Sequence, residues 1–151
     1  MALARTLLCG ALIALVSCNR TDSREAGSVP LSGSAGEAVL VPTLRVRVSG
    51  DTVALALTVA NAGREGVRLS FGTAQRYDFA VRNEAGVEVW RWSAERMFGQ
   101  VAGEEEVPSG GVLEYHEAWV ARAAGRYRVV ARLESSDHPL ELESEFEVPA
   151  R

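Results

Sequence analysis

From residue 38 onward, apolar and polar residues alternate with period two. Leu44, Val46 and Val48 alternate with Arg45 and Arg47, and Val53, Leu55, Leu57 and Val59 with Thr52, Ala54, Ala56 and Thr58. Tyr77, Phe79 and Val81 alternate with Asp78, Ala80 and Arg82. Near the C-terminus, Tyr127, Val129, Ala131 and Leu133 alternate with Arg126, Arg128, Val130 and Arg132. Leu140, Leu142, Phe146 and Val148 then alternate with Glu141, Glu143, Glu145 and Glu147. Period two places one face of each segment on a core and the other in water. Turn residues separate the runs at Ser49-Gly50-Asp51, Asn61-Ala62-Gly63, Asn83-Glu84-Ala85-Gly86 and Pro108-Ser109-Gly110-Gly111. No segment carries a helical period of useful length. About eight short strands over residues 43–148 predict an all-β fold, an immunoglobulin-like antiparallel β-sandwich.

The last two runs predict their own register. Pairing Leu133 with Leu140 leaves a six-residue loop and sets Arg132 opposite Glu141, Arg128 opposite Glu145 and Arg126 opposite Glu147. A slip by one residue would turn this charge into the core. The charged face is therefore expected to be structural rather than a ligand site. Gly125-Arg126-Tyr127 opens the first of the two runs, and a Tyr there fits the tyrosine corner of sandwich domains. Glu117 shares a face with Leu113, Tyr115 and Trp119, so its carboxylate needs an Arg partner or a bulge that turns it outward. Glu104-Glu105-Glu106 reads as a solvated charge run in a Gly-flanked loop.

The N-terminus follows a different pattern. One charge, Arg5, precedes the apolar run Leu7–Val16, which is about half the length needed to span a bilayer. Residues 1–17 read as a secretory signal peptide. The sequence Leu15-Val16-Ser17-Cys18 resembles the lipobox of bacterial lipoproteins, which implies cleavage before Cys18 and acylation of its thiol. Residues 18–37 then form the acylated Cys and a flexible linker rich in Gly, Ser and charge. Such a tether spans roughly 24 Å root-mean-square. The domain itself would be residues 38–151, held at a membrane surface by lipid without crossing it. Asn19, where an Asp would resemble an inner-membrane retention signal, points to the periplasmic face of the outer membrane if the cell has one. The expected location is the cell envelope.

Composition narrows the chemistry. All 16 basic residues are Arg, against 20 acidic residues, for a net charge of −4. Arg spread thinly along an acidic chain gives phosphate no basic surface, so nucleic acid is not an expected partner. The chain has 2 His and 2 Cys. With Cys9 in the signal segment and Cys18 acylated, no disulfide forms in the mature chain. His116 and His138 lack ligand-spaced partners, so neither a metal site nor a cofactor is expected. No G-x-S-x-G, H-E-x-x-H, Walker or dinucleotide motif occurs. The chain does not read as an enzyme.

The most distinctive stretch is Phe71–Gln100. In order it holds Phe71, Gln75, Tyr77, Asp78, Phe79, Gly86, Val89, Trp90, Arg91, Trp92, Ser93, Phe98 and Gln100, followed by Pro108, Gly110, Tyr115, Trp119, Gly125 and Tyr127. This ordered set resembles the intracellular proteinase inhibitor family, the BsuPI-type domain, over roughly residues 50–134. The resemblance implies a proteinase-inhibitor-like binding domain. The family's description says intracellular, whereas this N-terminus reads as exported. The implied partner is therefore an envelope protease, such as a subtilisin-type serine protease, or another envelope protein. The alternative is an envelope structural or adhesion module without inhibitory activity.

Within the motif most aromatic residues are expected in the core. Trp90 and Trp92 would lie on one strand face, with Arg91 on the other, and Asp78 would pair with Arg76, Arg82 or Arg91. Alternation breaks after Ser93, so Ser93–Gln100 should form a loop or a short helical turn. There Arg96, Met97 and Phe98 are the candidate partner-contacting residues. Either one of them occupies a protease specificity pocket, or Met97 and Phe98 plug the end of the sandwich. Edge-strand addition is a second route to a partner.

Overall fold

A computed structural model describes residues 39–150. The signal segment 1–17, Cys18 and the linker 18–37 lie outside the described residues. Among the described residues there are nine strands: β1 Leu40–Ser49, β2 Thr52–Asn61, β3 Val67–Phe71, β4 Tyr77–Asn83, β5 Glu88–Arg91, β6 Gly103–Val107, β7 Val112–Val120, β8 Gly125–Leu133 and β9 Leu140–Val148. The helical element among the described residues is a single 3-10 turn, Trp92–Glu95.

All strand pairs among the described residues are antiparallel. One sheet has the order β1-β2-β7, a second β5-β4-β8-β9, and a two-stranded piece joins β3 to β6. The alternating residues do what their period requires. Val53, Leu55, Leu57 and Val59 of β2 meet Val81, Val129, Ala131 and Leu133 of β4 and β8 in one core, with Val67, Leu69, Phe71 and Val107 added by β3 and β6. Rings cross between the sheets. Trp119 of β7 packs edge-on against Tyr127 of β8 at 5.0 Å and against Phe146 of β9 at 6.4 Å. The fold is the all-β sandwich predicted from the alternation.

The turns sit at the predicted breaks. Gly50 and Gly86 adopt φ of 60° and 78°, values that suit glycine at hairpin corners. Asn61, fully buried at the end of β2, donates from Nδ2 to the carbonyls of Glu65, Val107 and Pro108. One amide thus ties β2 to the turn before β3 and to the end of β6.

The β8–β9 register is the predicted one, with Leu133 opposite Leu140 and Arg126 opposite Glu147. Arg132 meets Glu141 at 2.6 Å and Arg128 meets Glu145 at 2.7 Å. The Tyr127 hydroxyl donates to the Ala123 carbonyl at 2.7 Å, which makes the tyrosine corner.

Two local expectations are corrected. The Glu104–Glu106 run lies in a strand, β6, and sets Glu105 opposite Leu69 of β3. Its carboxylate accepts from Arg76 Nε at 2.7 Å and from the Tyr115 hydroxyl at 3.3 Å, so charge on the inner side of this strand is satisfied. Trp90 and Trp92 also do not share a strand face, because β5 ends at Arg91 and Trp92 begins the 3-10 turn. The β4–β5 register pairs Ala80 with Arg91, and carried on by two residues it would set Asp78 opposite Ser93. There the Asp78 carboxylate, rather than a backbone ladder, receives the Ser93 N–H, and the chain leaves the sheet.

Candidate functional site

Asp78 anchors the region. Its side chain is 5% exposed and near the start of β4. Arg91 donates to Oδ2 at 2.8 Å, the Ser93 hydroxyl donates to Oδ2 at 2.8 Å and the Ser93 N–H donates to Oδ1 at 3.1 Å. The carboxylate also takes the Phe79 N–H at 2.9 Å. Of the three Arg proposed from sequence as its partner, Arg91 is the one in place. Arg91 bridges onward to Glu88 through Nη2 at 2.6 Å, and these two acidic partners push its pKa further up. A buried carboxylate with this many donors is satisfied, and it fixes where the 3-10 turn starts.

Above this anchor stands a column of rings. Tyr115 of β7 stacks on Tyr77 of β4 at 4.5 Å, and Tyr77 stacks on Trp92 at 4.3 Å. The Arg96 guanidinium lies 4.5 Å over the Trp92 ring. Phe98 packs beside Trp92 at 5.5 Å. The Trp92 Nε1–H is buried without a hydrogen-bond partner, so this ring is held by its faces. Burial raises the pKa of both tyrosines, and the carboxylates of Glu117 beside Tyr77 and Glu105 beside Tyr115 add to the rise.

Glu117 is also settled here. Its partner is the Tyr77 hydroxyl, which donates to Oε1 at 2.6 Å, rather than an Arg or a bulge. The period-two pattern flagged Glu117 as an inward carboxylate; the partner came from another sheet and left no local signal. Arg76 and Glu105, which the sequence reading did not place in the site, form its floor. Arg76 also lies 4.5 Å over the Phe71 ring and donates to the Thr73 carbonyl at 2.7 Å.

The loop after the turn carries the three candidate contact residues. Arg96 has extended backbone, φ −116° and ψ 144°, and its Nε donates to the Trp92 carbonyl at 3.1 Å. Met97 is 100% exposed. Phe98 is half-buried against Trp92. The Ala74 N–H donates to the Gly99 carbonyl at 2.9 Å and closes the loop on its far side. Phe98 therefore rests on Trp92, whereas the fully exposed Met97 does not plug the sandwich as the alternative reading expected. Phe98 has an aromatic ring to rest on, whereas Met97 points away from the column.

The remaining motif residues are spread over the fold. Gln75 joins the site by donating to the Tyr77 carbonyl at 3.2 Å, and Gln100 is exposed at the end of the loop. Trp90 is half-buried on β5, opposite Val81. Phe71 and Phe79 are core residues. Trp119 and Tyr127 belong to a separate ring cluster with Phe146, away from the loop. No group of three or more His, Cys, Asp or Glu among the described residues is placed to hold a metal ion.

The antiparallel β-sandwich thus presents, after the 3-10 turn, a loop fastened on both sides with Met97 fully exposed. The chain belongs to the BsuPI family, described as intracellular proteinase inhibitor, whose sequence pattern matches residues 40–138. That family is in general non-catalytic. No curated protein sequence matches the chain. Among solved structures it is similar to part of β-glucosidase 3B from Thermotoga neapolitana, with 15% identity and a TM-score of 0.44 over 76% of this chain and 16% of that one. It is also similar to part of a penta-heme cytochrome c552 from Thermochromatium tepidum, with 11% identity and a TM-score of 0.44 over 72% of this chain and 39% of that one. The chain thus spans well under half the length of either protein.

Proposed function

We propose that this protein is a membrane-anchored, proteinase-inhibitor-like binding domain of the cell envelope. Its target in this reading is a serine protease of the subtilisin type, engaged by the loop Arg96–Phe98. The observation that carries the reading is the loop's geometry: extended at Arg96, fully exposed at Met97, and fastened on both sides. A loop already fastened at both ends loses little freedom when a cleft closes on it. Membership of the BsuPI family supports a protease as the partner. The lipobox-like Leu15–Cys18 supports anchoring through lipid on Cys18.

Titration of the full chain in mild detergent against subtilisin tests the activity. A linear loss of protease activity to an equivalence point is the expected result. Full residual activity at micromolar excess of a folded chain would instead favour an envelope structural or adhesion module. Intact-mass measurement on the membrane fraction of a bacterial host tests the anchor. Loss of residues 1–17 with added lipid mass is expected, and Cys18→Ser should abolish both.

A further inference from the structure

We infer that Met97 alone selects the protease, and that the pocket it enters is apolar rather than acidic. This rests on the inhibitor reading above and assigns its specificity to one side chain. Three residues lie at the loop tip, and two are already engaged with Trp92. Arg96 lies over the Trp92 ring at 4.5 Å and donates to its carbonyl. Phe98 packs beside the same ring at 5.5 Å and is half-buried. Met97, between them, is 100% exposed.

An acidic specificity pocket would need Arg96, which would have to give up both its ring contact and its hydrogen bond. Met97 gives up nothing. Its flexible thioether adapts to an apolar pocket of irregular shape. The extended backbone at Arg96 leads into it in the form that lets a cleft pair with the main chain while a pocket reads the side chain. Beneath the loop, Ser93 is fixed to the buried Asp78 carboxylate, so the presentation is set by the sandwich rather than by the partner.

The test compares the full chain in mild detergent with Met97→Asp, Met97→Arg and Arg96→Ala. Inhibition constants are measured against subtilisin, whose pocket is apolar, and trypsin, whose pocket is acidic. The wild type should inhibit subtilisin and spare trypsin. Met97→Asp should weaken inhibition of subtilisin by roughly 30-fold or more, the scale of a central anchor residue. Met97→Arg should shift inhibition toward trypsin. Unchanged thermal unfolding serves as the folding control, since position 97 is fully exposed. Subtilisin inhibition that survives Met97→Asp would overturn the inference and leave the inhibitor reading standing. So would trypsin inhibition by the wild type that is lost in Arg96→Ala. Failure of the wild type against both enzymes would overturn the inhibitor reading and the inference together.

Discussion

The Tyr77 hydroxyl donates a 2.6 Å hydrogen bond to the Glu117 carboxylate, joining β4 of one sheet to β7 of the other. Because the acceptor is charged and the pair is partly shielded, Tyr77→Phe should cost roughly 1.5–3 kcal/mol of unfolding free energy in a denaturant titration. The pKa of Tyr77 is raised in the fold, so its contribution is complete below its ordinary value near 10 and is lost as pH rises through the raised one. Stability of the wild type should therefore fall above about pH 10. Tyr77→Phe should flatten that fall, with Tyr115, shifted the same way, supplying what remains.

Asp78→Ala removes an acceptor that serves Arg91, Ser93 and the Phe79 N–H from a nearly dry position. Leaving those donors unpaired should cost about 3 kcal/mol. Ser93→Ala removes one of the hydrogen bonds and should cost about 1 kcal/mol. The ratio of the two losses, read from denaturant midpoints, checks that the carboxylate rather than the hydroxyl organises the turn.

On the β8–β9 surface, Arg132 and Glu141 are both well exposed although they meet at 2.6 Å. A double-mutant cycle with Arg132→Ala and Glu141→Ala should give a coupling of only about 0.2–1 kcal/mol. Salt should reduce it further. A coupling of several kcal/mol would mean that the charge ladder carries stability as well as register.

Asp137 fastens the β8–β9 loop to β3. It accepts from the Ser135 hydroxyl and from the Ser70 N–H, and these bonds hold its pKa well below the usual carboxylate range. The contribution is present above the unfolded value near 4 and is lost as pH falls through the depressed one. Asp137→Asn should leave a shallower acid limb in a plot of stability against pH below about 4. An unchanged limb would place the acid-labile group elsewhere.

Several of these features were legible in the sequence because one signal was repeated or fixed. The β8–β9 register could be read since β9 alternates throughout and the Arg and Glu positions of the two strands fall opposite one another in the pairing that also aligns their apolar faces. The corner at Tyr127 follows a local Gly-x-Tyr pattern and needs no distant partner. The loop after Ser93 was marked by its break in alternation. The bond between Tyr77 and Glu117 was not legible, because it joins residues 40 apart on different sheets. Trp92 looked like a continuation of β5, since alternation is equally satisfied whether or not the next strand position is used. The Glu run in β6 lacked alternation altogether, and only Arg76 and Tyr115 explain how it tolerates a strand.

Met97 stands free of its own fold, which separates two properties that most interfaces bind together. The residues that hold the loop, Asp78 and Trp92 foremost, cannot change without loosening it. Position 97 can change to almost anything at little cost to folding. If Met97 is the contact residue proposed above, a lineage carrying this architecture can acquire a new target by a single substitution, with no compensating change elsewhere. Natural variation among such proteins should accumulate at this one site while its supports stay fixed.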